Sequence, residues 1–245
     1  MPLESLALLK PRMDSDAAAI LSTRDFSWQF GDREGFGGGH LQLGPPRQGC
    51  WVREEFVCNP IIEQVAAAIL GPEPFLSWYN GNCNVPGSGQ QVLHPDHEWA
   101  FATAADAAAE GHPWPHRATT INVNFGTADV DSSNGGTEIW PVRLSLCSVC
   151  QSVLSFLGAD RKGSHNDVEA ARYTLEDGAP RAVEEQLPEV YERRRREHPP
   201  VILDIPLGAV AFRDHRMWWA LNQTCANVAR CTQVPATSLR TGIAA

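Results

Sequence analysis

The spacing of apolar positions changes character once along the chain. Before Phe75 it is helical; from Phe75 onward apolar residues come in short runs broken by Pro, Gly and Asn. The clearest helix is Asn59 to Leu70. Asn59 suits the N-cap, Pro60 the first helical position and Glu63 the first turn, and Gly71 stands just past the end. Its apolar residues Ile61, Val65, Ala68 and Ile69 share one side, a stripe that would pack on a sheet. Asp14 to Thr23 reads as an earlier helix. The runs Phe75–Tyr79, Gln91–Leu93, Thr119–Phe125, Val201–Ile205 and Ala209–Phe212 read as strands, with turns at Asn134-Gly135-Gly136 and Pro206-Leu207-Gly208. Pro180 to Arg196 reads as an outer helix that breaks or kinks at Pro188. Helices first and strands afterwards predict a helix-buttressed β-sandwich rather than alternating βαβ units, and there is no internal repeat.

At 245 residues the chain suits one domain of this kind. Its net charge of −9 argues against a nucleic-acid surface and favours a soluble small-molecule protein. The basic run Arg193 to Arg196, flanked by Glu192 and Glu197, reads as a solvated helix face. No apolar stretch approaches the ~18 residues of a membrane span, and Met1 to Arg12 lacks the pattern of a secretory signal. Seven cysteines at irregular spacing do not form a disulfide framework, so a reducing, cytoplasmic setting is expected. Cys147 and Cys150 make a CxxC with no second pair or nearby His to complete a zinc site.

Candidate chemistry centres on His94-Pro95-Asp96, which follows the apolar pair Val92-Leu93. In a strand, residues i and i+2 point to the same side, so imidazole and carboxylate would converge on one point. That is two thirds of a 2-His-1-carboxylate facial triad, which leaves three positions on iron(II) open to a chelating cosubstrate and oxygen. A lone HxD is a weak signal; its surroundings strengthen it.

Three segments follow one another along the chain. They are LGPEPFLSWYNGNCNVPGSGQQVLHPDHEWAF (Leu70 to Phe101), TTINVNFGTADVDSSNGGTEIWP (Thr119 to Pro141) and PPVILDIPLGAVAFRDHRMWWALNQT (Pro199 to Thr224). Together they resemble the phytanoyl-CoA dioxygenase family, especially its fungal and bacterial natural-product branch, with gaps from about Phe26 to Arg230. The resemblance implies a mainly β fold with flanking helices, a double-stranded β-helix of the jelly-roll or cupin-like kind. Residues 1–72 would form a helical buttress. It also implies iron(II), 2-oxoglutarate and O₂ as cofactor and cosubstrates, with CO₂ loss, succinate formation and hydroxylation or desaturation of a C–H bond. His94 and Asp96 become iron ligands, Gln91 a polar contact to 2-oxoglutarate, and Thr137 a hydroxyl donor to a cosubstrate carboxylate. Arg230 becomes the clamp on the distal carboxylate, for which a guanidinium fork is suited. The expected partners are a small secondary-metabolite substrate, such as a terpenoid or alkaloid, and a second copy or a paralogue. Trp78, Trp99 and Trp140 are aromatic candidates for the substrate pocket, though aromatics of this kind are more often core residues.

The sequence departs from the family at the position of the second iron histidine, which here is Trp219. An indole N–H is a donor with no available lone pair. His215 is the substitute candidate, on the same strand face but about 13 Å along at ~3.3 Å per residue. Its recruitment needs a four-residue register slip that a buried strand resists. His97, pointing away from Asp96, is a poorer candidate. After Pro141 the family expects Gly-Ser-His, which appears only at Gly163-Ser164-His165. Removing Val142 to Lys162 restores the motif. A segment of 21 residues (142 through 162) is 63 nucleotides, and a Val codon opening in GT with a Lys codon closing in AG is the pattern of a retained short intron. A genuine lid-like insertion is the rival; a dominant transcript containing those nucleotides would favour the rival. After Trp219 the motif is shortened, and residues 231–245 read as an irregular tail. Two function classes follow: an iron(II)/2-oxoglutarate dioxygenase, or a catalytically impaired relative acting as a binding or partner subunit. A cupin-type metal protein is a distant third, since the usual HxH pair is absent.

Overall fold

The computed structural model describes residues 1–22, 40–84, 89–96, 104–111, 118, 120–140, 155–157, 182–215, 217–222 and 230–240; the side chains of 40, 42, 104, 155–157 and 230–240 are not described. The framework is set by strand β4 (Thr120–Phe125), whose two faces do different work. Ile121 and Val123 point one way, into a cluster with Ile62, Ala66 and Leu70. Asn122, between them, is buried on the opposite side. Strand β8 (Ala211–Asp214) lies antiparallel beside it with Asn122 opposite Arg213. Phe212 faces the helix side, while Ala211 joins Ile139, Trp219 and Leu221 on the other.

Around this pair a seven-stranded sheet runs β1 (His40–Gln42), β3 (Asn82–Asn84), β10 (Arg230–Arg240), β4, β8, β6 (Ser155–Leu157), with β2 (Phe75–Trp78) also on β10. A second sheet has the order β7 (Val201–Ile202), β5 (Thr137–Ile139), β9 (Trp219–Leu221). Its alternation is legible in β9: Trp219 and Leu221 face the larger sheet, and Ala220 faces outward with Leu93, Trp140 and Val183. Helices α1 (Leu3–Ser22), α2 (Glu54–Val57) and α3 (Pro60–Leu70) cover the outer face of the larger sheet. Helices α5 (Val183–Gln186) and α6 (Pro188–Glu197) cover the smaller one, and α4 is Ala104–Ala109. The result is a helix-flanked sandwich of two sheets. Among the described residues the double winding of a jelly roll is not traced, and no helix is long and apolar enough to cross a membrane.

Several expectations need correction. α3 is capped as predicted, Asn59 Oδ1 accepting from Ile61 N at 3.0 Å and Ile62 N at 3.3 Å, and Gly71 ends it at φ +106°. Its buried stripe, however, is Ile62, Ala66 and Leu70, while Ile61 is exposed. The i, i+4, i+8 row meets β4, and Val65 and Ile69 flank it. α1 begins at Leu3, not Asp14, and runs through Pro11. A proline inside a helix costs ~3 kcal/mol, but Leu6, Leu9, Met13 and Ala17 bury one continuous stripe that offsets it. Gln91–Leu93 forms bridges rather than a full strand.

The tail expected to be irregular contains β10, which pairs with β2, β3 and β4. Its register against β4 shifts between Val234 and Thr237, around Pro235, which has no N–H for the ladder. Ser155–Leu157, inside the expected insertion, lies parallel to β8. The basic run is not wholly solvated. Arg194 is buried with its guanidinium carbon 4.2 Å from the Trp218 ring centroid, since the helical period that turns Val190 and Tyr191 inward also turns Arg194. Cys83 is disulfide-bonded to a residue outside the described side chains, against the expectation of a fully reduced chain.

Candidate functional site

His94 and Asp96 enter the space between the sheets because residues 91–94 pair with β9. Gln91 N donates to Leu221 O at 2.9 Å and His94 N to Trp219 O at 3.1 Å. Past Pro95, Asp96 N donates to His215 O at 3.0 Å, which carries the chain from the smaller sheet toward the end of β8. His94 and Asp96 thus lie close together with Trp219, Arg213, Asn122 and His215 around them.

The Asp96 carboxylate is the hub. Trp219 Nε1 donates to Oδ1 at 2.9 Å. Asn122 Nδ2 donates to Oδ2 at 2.8 Å, and Arg213 Nη2 donates to the same oxygen. Burial alone would raise this carboxyl, but the charges of Arg213, His215 and His94, with the Arg213 hydrogen bond, hold it at about 2. It is therefore ionised at neutral pH. His215 Nε2 donates to Asn122 Oδ1, so Asn122 ties His215 to Asp96. His94 Nδ1 donates to Val92 O at 2.7 Å, which leaves its lone pair on Nε2 in the neutral tautomer. Burial lowers the His94 pKa; Asp96 and the Val92 carbonyl oppose the shift, and Arg213 adds to it.

The other predicted residues are distributed unevenly. Gln91 lies beside the site, its Oε1 accepting from Leu221 N at 3.3 Å. Thr137 is buried on β5 directly opposite Leu221. Gln91 and Thr137 therefore share Leu221 as a neighbour. Arg230 opens β10 opposite Asn84, and its side chain is not described. His215 stays in its own register and has not moved to the place of Trp219, because Asn122↔Arg213 and His94↔Trp219 lock both flanks. His97, Trp99, Cys147, Cys150 and Gly163-Ser164-His165 lie outside the described residues. Trp140 is core, donating to Glu138 Oε1 at 2.8 Å. Trp78 is exposed, its ring 5.3 Å from the Arg47 guanidinium carbon; it belongs neither to the core nor to this site.

Sequence reasoning missed Arg213 and Asn122. Asn122 left a signal, since a lone amide between Ile121 and Val123 in a buried strand must find a polar partner. Arg213 left one as well, since it fills the arginine place of the R-D-x-R-x-W-H segment that carries the resemblance, although an arginine in a strand usually reads as a surface residue.

Do these residues suit iron(II)? A facial triad needs three side chains with lone pairs directed at one point. His94 has one to offer. Asp96 accepts from three protein donors, which take three of its roughly four acceptor positions. Trp219 has no lone pair to give, and Arg213 places a fixed positive charge on the carboxylate that would have to bind the ion. Among the described residues no group of three or more His, Cys, Asp or Glu side chains is arranged for a metal. The set does not fit.

No family model matches the chain. Its structure is similar to that of SnoK, a non-heme alpha-ketoglutarate-dependent carbocyclase from nogalamycin biosynthesis. The identity is 14% and the TM-score 0.47, over 93% of this chain and 76% of that one. It is also similar to AviO1 from Streptomyces viridochromogenes Tue57, at 15% identity and TM-score 0.43, covering 100% of this chain and 88% of that one. EctD from S. alaskensis with 2-oxoglutarate and 5-hydroxyectoine aligns at 16% identity and TM-score 0.42, over 74% of this chain and 49% of that one. Likenesses at these levels decide neither the fold nor the chemistry.

Proposed function

We propose that the chain has the scaffold of an iron(II)/2-oxoglutarate dioxygenase of the phytanoyl-CoA dioxygenase type, a double-stranded β-helix, and that its metal centre has been lost. It then serves as a binding or partner subunit rather than as an oxidising enzyme. One observation carries this reading: Trp219 Nε1 donates to Asp96 Oδ1 at 2.9 Å. The residue in the second histidine's place thus occupies the carboxylate instead of sharing a metal with it. The ordered motifs around His94-Pro95-Asp96 support the scaffold. The acidic net charge fits a soluble protein that binds a small molecule rather than nucleic acid.

The test is an anaerobic titration of the full chain with iron(II) and 2-oxoglutarate. The expected result is no weak visible charge-transfer band and succinate release at background. A band accompanied by succinate release above background overturns the proposal.

A second reading, an active dioxygenase that hydroxylates or desaturates a secondary metabolite, is favoured by His94. Its Nδ1–H on the Val92 carbonyl orients the Nε2 lone pair, as metal-ligating histidines commonly are. If that reading held, Gln91, Thr137 and Arg230 would be the residues to hold 2-oxoglutarate. The same titration separates the two.

A further inference from the structure

We infer that Cys83 is bridged to Cys231, and that this cross-link is a redox-controlled fastener seating β10 in the larger sheet. The inference rests on strand register and holds whichever reading of the Asp96 site is correct.

Cys83 is fully buried on β3 and disulfide-bonded. Of the seven cysteines, Cys50 and Cys58 are free, which leaves Cys147, Cys150, Cys225 and Cys231 as partners. Cys231 is the one whose backbone place is described, and it lies on the strand next to β3. Arg230 stands opposite Asn84, and Gln233 stands opposite Asn82. Between those pairs β10 has Cys231 and Thr232 where β3 has Cys83 alone, the two-against-one arrangement of a β-bulge. Residues opposed across an antiparallel ladder have Cα atoms about 4.5–5.5 Å apart, inside the roughly 4.4–6.8 Å that a disulfide spans.

β10 needs such a fastener. It lies inside the sheet, between β3 and β4, and also carries β2, yet its own sequence specifies that place poorly. Beyond the cysteine, its apolar residues are Val234, Ala236 and Leu239. Pro235 lacks an N–H, and the ladder shifts register against each of the three neighbours. A strand without a strong apolar alternation slips easily, because burial of one face is what fixes register. A covalent link at the start of β10 removes that freedom. It also holds Arg230, the next residue along, opposite Asn84, whose Nδ2 donates to Gly135 O at 3.1 Å in the turn before β5.

Closing the bridge joins the two Sγ atoms with loss of two protons and two electrons. A small-molecule disulfide such as oxidised glutathione takes them up, its S–S bond breaking to give two thiols, and excess thiol runs the exchange backwards. Reduction leaves β10 with its hydrogen bonds alone. The strand then loosens, while β4 and β8, paired directly with each other, hold.

The assignment is tested on the full chain, incubated with oxidised glutathione, blocked at its free thiols and digested with trypsin without reductant. Cleavage after Lys and Arg separates the candidates: Cys83 falls in Glu54–Arg117, Cys231 in Cys231–Arg240, Cys225 in Met217–Arg230, and Cys147 with Cys150 in Leu144–Arg161. The expected result is Glu54–Arg117 linked to Cys231–Arg240. Linkage to either other peptide, or Cys83 recovered as a blocked thiol, overturns the assignment.

Hydrogen exchange read by mass spectrometry tests the seating. On reduction, amides of residues 231–240 should exchange at least about tenfold faster, while those of 121–124 and 211–214 change little. Unchanged rates at 231–240, or an equal rise over all three strands, overturn it. Cys231→Ser should reproduce the effect of reduction with no reductant present, and Cys225→Ser should not; the opposite pattern overturns the inference. If Cys231→Ser does not fold, the reduced native chain carries the comparison.

Discussion

His94 and Trp219 form a reciprocal backbone pair: His94 N donates to Trp219 O at 3.1 Å and Trp219 N to His94 O at 2.9 Å, with ring centroids 4.8 Å apart. Two hydrogen bonds fix which residue of β9 faces His94, so the tryptophan at this place follows from the register and not from a slipped strand. The indole does two things there, packing between the sheets and donating to Asp96.

Trp219→Phe separates these roles. It keeps a ring in the inter-sheet cluster and removes the donor to an ionised acceptor. Because Arg213 and Asn122 still hold Oδ2, the expected loss is about 1–2 kcal/mol, at the lower end for a hydrogen bond to a charged group. Urea unfolding should show a lower midpoint with an unchanged slope. A midpoint within error of the native value would mean that the indole N–H contributes nothing to holding Asp96.

Acid should destabilise the protein in two stages. His94 and Asp96 both titrate below their ordinary values when folded. On acidification the unfolded chain therefore binds protons that the folded chain resists, and stability falls with pH. The His94 contribution is full above the ordinary value of 6.5 and declines below it. The Asp96 contribution is full above 3.8 and is lost as pH falls through about 2, on the order of 2 kcal/mol in all. Urea midpoints measured from pH 8 downward should fall first below 6.5 and again below 4. His94→Gln should remove the first decline and Asp96→Asn the second. A midpoint that rises on acidification contradicts both assignments.

What could be read from the sequence, and what could not, divides along physical lines. Local chemistry was legible. The Asn59 cap and Pro60 start define α3, and Pro188 divides α5 from α6 as expected. The runs Phe75–Tyr79 and Thr119–Phe125 correspond to β2 and β4. Where tertiary contacts had to outvote a local signal, the sequence misled: Pro11 hid the first half of α1, and the lack of an apolar run after Arg230 hid β10, which is defined by its pairing with β2, β3 and β4. Convergence of His94 and Asp96 was read from i, i+2 spacing. Arg213 reaches them from 117 positions away, through sheet pairing that no local window contains. The sense of the site therefore changed from an incomplete ligand set to a carboxylate already occupied by protein donors.

Gly136 links this arrangement to the turn before β5. Its N donates to Asp131 O at 2.7 Å, closing the 131–136 turn. A Cβ added there would stand 2.7 Å from that same carbonyl oxygen and 2.8 Å from Ile202 Cγ2 on β7. Backbone on one side and a paired strand on the other leave no flexible neighbour to yield. Gly136→Ala should therefore lower stability by about 2–3 kcal/mol through overpacking, read as a drop in urea midpoint. A loss below 0.5 kcal/mol, within the usual range for surface substitutions, would show that the turn relaxes freely.

Cys83 is fully buried and disulfide-bonded, whereas Cys50 and Cys58 are free and exposed. Under native conditions a thiol reagent should modify Cys50 and Cys58 and leave Cys83 untouched. Denaturation without reductant should leave at least two fewer reactive thiols than denaturation with it, since the Cys83 bridge conceals two sulfurs. Reduction should also lower the urea midpoint, because a cross-link restricts the unfolded chain. Bridges of this kind persist poorly where glutathione keeps thiols reduced. Protein isolated with rapid thiol blocking therefore tests the expected cytoplasmic setting: Cys83 recovered as a blocked free thiol places the bridge outside the working state of the protein. Cys83 recovered oxidised argues for a compartment or a strand environment that protects it.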